Sequence, residues 1–254
     1  MWGNNLTFLR EIYLYHCIVK WLCALLVFCV SCAKGPDFIK SAGKTQTEVR
    51  ALGEFTSLEV FKNLRVYLKQ GTANEVRISY GKNLLSKIKT EVNNGVLRLD
   101  DKNTFNWVRD LKKHAVCTLT VKSIQSLLIE GSAQISCLDS IKGNKLFVTH
   151  NSNHDQELLL DMGIVNGSCD NSGAIKMEGK ASILAWTVSK GSFLDARSLD
   201  NEDTYIFHFT MNDCYVRPKQ VLEATIGNSG HVISGLNPSR ILKRSGGGSG
   251  KIKI

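Results

Sequence analysis

The sequence predicts an all-β fold, a β-helix whose coils are about 20 residues long. Three observations predict it. Small turn clusters recur at a near-constant interval in the second half of the chain. Short apolar runs of strand length separate them. The interval is too short for a helical repeat, which needs about 33 residues for two helices.

The clusters are Gly131-Ser132, Asn151-Ser152, Asn171-Ser172-Gly173, Gly191-Ser192, Asn212-Asp213, Asn228-Ser229-Gly230 and Gly248-Ser249-Gly250, spaced by 20, 20, 20, 21, then 16, then 20 residues. Strand-like runs such as Leu127-Leu128-Ile129, Leu146-Phe147-Val148, Ile183 to Val188, Tyr205 to Phe209 and Val221 to Ile226 lie between them. Stacked coils place their strands about 4.8 Å apart, so inward apolar side chains form one continuous core. The small residues mark one corner, expected to need positive φ or a side chain that bonds its own backbone. A sandwich of two opposed sheets is the competing architecture, but its loops have no reason to keep this rhythm over six intervals.

Residues 55–99 alternate apolar and polar positions: Leu58 and Val60; Leu64, Val66 and Leu68; Val76, Ile78 and Tyr80; Ile88, Thr90 and Val92; Val96, Leu97 and Leu99. Period-two runs bounded by Gly and Asn read as half-buried strands. Asn94-Gly95 suits a two-residue hairpin. Residues 101–115 are polar with two aromatics, compatible with a loop or a short helix.

The leader has its own logic. Arg10 and Lys20 precede an uncharged stretch from Trp21 to Val30. That is a positive region followed by an apolar run too short to span a bilayer as a stable helix. It ends at Ser31-Cys32, and a small residue before a cysteine at this place resembles the lipobox of bacterial lipoproteins, with Cys29 where that pattern usually has Leu. The resemblance makes Cys32 the lipidated first residue of the mature chain, held on a membrane by its acyl chains. The expected domains are a signal at 1–32, a polar tether at 33–47 and a solenoid at 48–254. Cleavage without lipidation and an uncleaved anchor are the alternatives.

Lys and Arg number 32 against 23 Asp and Glu, a formal charge of +9. Such a surface attracts acidic glycans, lipid phosphates or nucleic acid. The positive residues are spread along the chain, so no nucleic-acid partner is expected. Cys117, Cys137, Cys169 and Cys214 form no C-x-x-C pair, which argues against a zinc site of the usual spacing and for buried free thiols.

The segments IEGSAQISC (129–137), DNSGAIKMEG (170–179), IGNSGHVISG (226–235) and SGGGSGKIKI (245–254) resemble the repeated GSG-x-I motif of the auto-transporter adhesin "head GIN" domain family. EFTSLEVFKNLRVYLKQG (54–71) and NLLSKIKTEVNNGVLRL (83–99) are similar to its opening strands. Many members are lipoproteins of Bacteroidetes. The resemblance implies a right-handed single-stranded β-helix similar to pectin-lyase-like solenoids, and a role in adhesion or another surface function. At 151–153 and 211–213 the chain has Asn-Ser-Asn and Met-Asn-Asp in place of the motif.

Solenoids of this kind can be enzymes, which need carboxylates or a Lys/Arg base grouped across adjacent coils. Asp139 with Asp161, and Asp195 with Asp213, are about one coil apart but not at equivalent positions. His150, His154, Asp155 and Glu157 have metal-ligand types, yet the two histidines flank a corner. His114, His208 and His231 lack motif context, and His208 is expected to point outward from TYIFHFT. Trp186, Tyr205, Phe207 and Phe209 fall on successive coils; Trp186 and Phe207 are spaced to stack, as a core ladder or as an exposed sugar-binding or partner surface. No catalytic residue, cofactor or metal is expected. The expected function is that of a non-enzymatic envelope lipoprotein, outer-membrane and periplasmic or surface-facing. It would bind a glycan, a surface protein or a second copy of itself. A structural envelope protein and a polysaccharide-acting enzyme are the alternatives. Fatty-acid labelling of the full chain is expected to be strong in the wild type and absent in Cys32→Ala.

Overall fold

The computed structural model describes residues 42–103 and 114–254. Eighteen strands there join one hydrogen-bonded sheet that wraps on itself, with one 3-10 turn at Leu85–Lys87. The N-terminal part holds β1 (Thr45–Ala51), β2 (Ser57–Phe61), β3 (Leu64–Gln70), β4 (Glu75–Gly81), β5 (Ile88–Asn93), β6 (Val96–Asp101) and β7 (Ala115–Val121). Regular coils follow: β8 (Ser126–Gly131), β9 (Gln134–Cys137), β10 (Ile141–Ser152), β11 (Gln156–Cys169), β12 (Ala174–Lys190) and β13 (Phe193–Thr210). The last are β14 (Cys214–Val216), β15 (Pro218–Ile226), β16 (Val232–Ser234), β17 (Arg240–Ser245) and β18 (Ile252–Lys253). Of the stretch 101–115 whose structure the sequence left open, residues 104–113 lie outside the described residues, as does Cys32.

The expected solenoid is present. In its first sheet β8, β10, β11, β12, β13, β15 and β17 pair in parallel. Val148 lies against Gly167, Gly167 against Trp186, Trp186 against Ile206 and Ile206 against Ala224, steps of 19, 19, 20 and 18 residues. A second sheet runs through β3, β9, β11, β12, β13, β14, β16 and β18. A third joins the first part of β10 to the middles of β11, β12 and β13, through Ile141, Leu160, Gly179 and Leu199. The inward–outward alternation slips at Gly163–Ile164 and at Glu178–Gly179, where these long strands pass from one sheet to the next.

The start of the chain does not follow the coil order. β2 pairs with β8, and β3 with β9, so Leu58 meets Leu127 and Val66 meets Ile135 across an offset of 69 residues. The intervening β4–β7 fold outward as a cap. β6 and β7 stack in parallel on the other edges of β2 and β3, and antiparallel β5 and β4 then cover β6 and β7, with β1 outermost. This removes open edges that would otherwise invite strand addition. Asn94 (φ 50) and Gly95 (φ 75) make the expected hairpin between β5 and β6.

One core runs through the coils. In the first sheet it rests on size matching. Trp186 is fully buried because Gly167 lies beneath its ring, and a methyl at Gly167 would overlap both the ring and the Val148 carbonyl oxygen. The indole N–H donates to Cys169 Sγ at 3.2 Å, so the buried donor is satisfied. Gly167→Ala is expected to cost about 1–3 kcal/mol through overpacking, seen as a fall of several degrees in Tm. Ser168→Ala, the outward neighbour, is expected to change stability by less than about 0.5 kcal/mol.

Candidate functional site

The turn clusters do stack at one corner, in part for the expected reasons: Gly131 has φ 72, and Asn171 and Asn228 accept the N–H groups of Ser172 and Ser229 at 2.8 Å through their side-chain oxygens. Gly173, Gly191, Gly230, Gly248 and Gly250 are not among the residues with positive φ. A Cβ on Gly173, Gly230 or Gly250 would collide with a carbonyl oxygen of the preceding coil, so close backbone approach selects glycine there. The amides reach across coils too: Asn171 Nδ2 donates to the Asn151 carbonyl at 3.0 Å and Asn212 Nδ2 to the Gly191 carbonyl at 2.9 Å. Asp155 and Asp213 accept the N–H groups of Ala174 and His231 at 2.9 and 2.8 Å.

The residues considered for chemistry are dispersed or already engaged. His150 is buried in the core, where Ser152 N donates to its Nδ1 at 3.4 Å; Asp155 serves the corner and Glu157 points outward from the second sheet. Among the described residues no group of three His, Cys, Asp or Glu is placed to hold a metal. Asp139 accepts Gln70 N at 2.9 Å. Asp161 faces outward near Lys142. Asp195 is hydrogen-bonded by Arg197, which holds its carboxyl below the ordinary value, the reverse of what a general acid needs. The four thiols are free; burial pushes Cys117 up to about 12 and Cys137 to about 11, and raises Cys169 and Cys214 as well. They are therefore poor nucleophiles.

His208 does not point outward. It is fully buried, its Nε2 is 2.9 Å from the Asn212 carbonyl, and Gly230 packs over the ring. Inward Ile206 and His208 set the parity of β13, so Phe207 and Phe209 face solvent at 49% and 43% exposure. Phe207 therefore lies against Thr187 rather than stacking on Trp186, which is in the core.

These outward rings mark a distinct surface. On the outer face of the first sheet one row reads Phe147, Asn166, Ala185, Tyr205, and the next Thr149, Ser168, Thr187, Phe207. Phe147 is 44% exposed. Three steps of about 4.8 Å separate Phe147 from Tyr205, so aromatic walls stand roughly 14 Å apart over a floor of small residues. No charged residue lies in these two rows. The other faces are charged ladders. The second sheet aligns Glu157, Lys176 and Asp195, with Lys176 also paired to Glu178 at 2.5 Å. The third aligns Lys142, Asp161, Lys180 and Asp200, with Arg217 2.9 Å from Asp200. Tyr205, Phe207 and Phe209 stand out in the sequence as aromatics on successive coils, whereas the exposure of Phe147 shows only in its parity against Val148.

A family model described as "Putative auto-transporter adhesin, head GIN domain" matches residues 54–238. The chain belongs to the head GIN adhesin family. Solved structures similar to this head GIN domain include a putative adhesin from Bacteroides fragilis, 19% identical, with a TM-score of 0.75 over 83% of this chain and 96% of that one. A putative lipid binding protein from Parabacteroides distasonis is 16% identical, with a TM-score of 0.61 over 85% of this chain and 99% of that one. A putative adhesin from Parabacteroides merdae is 14% identical, with a TM-score of 0.58 over the same shares. At these identities the likeness shows the fold. No curated protein matches the sequence. Among the described residues of this head GIN domain, no helix is long and apolar enough to cross a membrane.

Burial depresses the imidazole pKa of both His150 and His208, against the opposing pull of Asp155 and Asp213 respectively. The unfolded chain binds these protons near pH 6.5 while the native coils do not, so stability is full above that pH and lost as pH falls below it. Thermal melts from pH 8 to 5 are expected to show a steeper fall in Tm for the wild type than for His208→Gln.

Proposed function

We propose that this chain is a lipid-anchored adhesin of the cell envelope, held at the outer membrane through Cys32, which binds its target through the outer face of the first sheet and performs no catalysis. The observation that carries the reading is the cluster of exposed aromatics on that face. Phe147, Phe207 and Phe209 leave large apolar rings in water, and Met211 beside them is 76% exposed. A soluble fold with room for inward side chains gains nothing from this arrangement, and such patches mark interaction sites. The structural duties of Asp139, Asp195 and Asp213 support a binding role over hydrolysis. The family supports adhesion.

Beads coated with the full chain are expected to be retained on cultured cells, on glycoprotein films or on bacterial lawns. Phe207→Ala with Phe209→Ala is expected to reduce retention at least roughly threefold, as loss of central aromatic contacts does, while Lys176→Ala with Glu178→Ala leaves it unchanged. Equal retention by both variants would sink the assignment of the face, and end-to-end or side-by-side assembly of the free chain in sedimentation, without retention, would favour a structural role.

A further inference from the structure

We infer that the trough on the first sheet takes a neutral glycan, laid across the coils. This rests on the reading of that face as the binding surface and names what it binds.

The argument begins with the walls. Phe147 stands at one side, and Tyr205 and Phe207 at the other. Flat aromatic rings receive the C–H-rich faces of pyranose sugars through dispersion and quadrupole contacts, and they keep their rotamers at small entropic cost. The floor between them is not apolar. Asn166, Ser168 and Thr187 supply an amide and two hydroxyls, each able to donate and accept, at alternating positions with Ala185. That mixture suits a ligand whose edges are hydroxyls and whose faces are hydrocarbon. A protein partner offering an apolar cluster would bury those floor groups without hydrogen bonds, at a cost.

Charge narrows the class further. The chain carries +9 overall, yet neither row of the trough holds a charged residue. Glu223, one coil beyond Tyr205, is ion-paired with Arg244. The Lys- and Arg-bearing ladders lie on the second and third sheets, and on the first the neighbouring outward row begins at Lys145 and ends at Asp203 with Ile164 and Ile183 between. An acidic polysaccharide would be drawn to the ladders, whereas the two rows of the trough hold no cation, and the row beside them offers one lysine, Lys145, with Asp203 at its other end. A neutral oligosaccharide has the opposite preference.

Dimensions agree. The backbone ladder repeats every 4.8 Å or so, comparable to the advance of one hexose in an extended chain. A glycan running along the stack thus meets one coil per sugar, and the roughly 14 Å between the walls accommodates about two or three units. The parallel register keeps equivalent positions aligned from coil to coil, so a repeating ligand meets a repeating surface.

The test uses the full chain in mild detergent on an array of neutral hexose and N-acetylhexosamine oligosaccharides, with heparin as the acidic comparator. At least one neutral oligosaccharide is expected to bind. Tyr205→Ala and Phe207→Ala are each expected to weaken it roughly five- to tenfold, and Ala185→Arg, which fills the floor and leaves the walls intact, to abolish it. Heparin binding is expected to stay constant in Tyr205→Ala and Phe207→Ala and not to fall in Ala185→Arg, which adds a cation to the face. All three sites face outward, and unchanged melting curves would show that the coils persist. Binding of heparin alone, or neutral-glycan binding indifferent to these variants, overturns the inference. If bead retention depends on Phe207 but survives enzymatic removal of glycans from the target surface, the glycan is wrong while the binding face stands, with a protein as its partner.

Discussion

Each coil of this solenoid must rest on the one before it at the corner as well as along the strands, and that nesting governs everything else. Strand pairing alone fixes the rise between coils, not the path of the turns. At the corner the backbones come so close that Gly173, Gly230 and Gly250 have no room for a Cβ. Asn171 and Asn212 then tie adjacent turns together through carbonyls that would otherwise lack a donor. With the corners locked, the offset between neighbouring coils stays at 18–20 residues from Val148 to Ala224. A register slip of one residue would turn every inward side chain out.

The same constraint explains the apparent inversion in β13. A phenylalanine moved inside would gain about 2–3 kcal/mol from burial. The corner carbonyl of Asn212 needs a donor, and leaving such a group unpaired costs a comparable 1–3 kcal/mol. His208 supplies that donor from within, and Ile206 fixes the same parity two residues earlier. The terms nearly cancel, so stability does not explain two solvent-facing phenylalanines on one strand. The binding role proposed for this face does.

The period of the coils, the strand rhythm and the Asn94–Gly95 hairpin were legible because each is a local pattern in the sequence. The cap was not. Nothing near Leu58 announces that its neighbour in the stack is Leu127, since long-range pairing leaves no local mark. The corner composition is legible, and Gly131, Asn171 and Asn228 have the expected local reasons, but Gly173, Gly230 and Gly250 answer to inter-coil contact, which favours the same residue type and leaves no separate mark in the sequence. The burial of His208 is not legible, because polarity favours exposure and a hydrogen-bond partner four residues away is invisible until the corner is built. The exposure of Phe147 is hidden inside an apolar run whose parity only the paired coils establish. Cys32 lies beyond the described residues and rests on the leader pattern alone.

The three faces divide their labour by charge. Exposed ion pairs such as Lys176–Glu178 and Arg217–Asp200 add little to stability. Arranged in alternating ladders across coils, however, they keep two flat sheets hydrated and disfavour packing against a like surface. A solenoid with three apolar faces would aggregate; one with three charged faces would bind little besides polyions. Two adjacent rows of the first sheet that hold no charge from Phe147 to Tyr205 and from Thr149 to Phe207, with rings at their edges and small polar residues between, set one surface apart from the ladders. Because the rows on that face are assembled from residues about 20 apart in sequence, substitutions within one coil alter one step of the surface without disturbing the next. That separability lets the outer rows change while the corners and the core stay fixed.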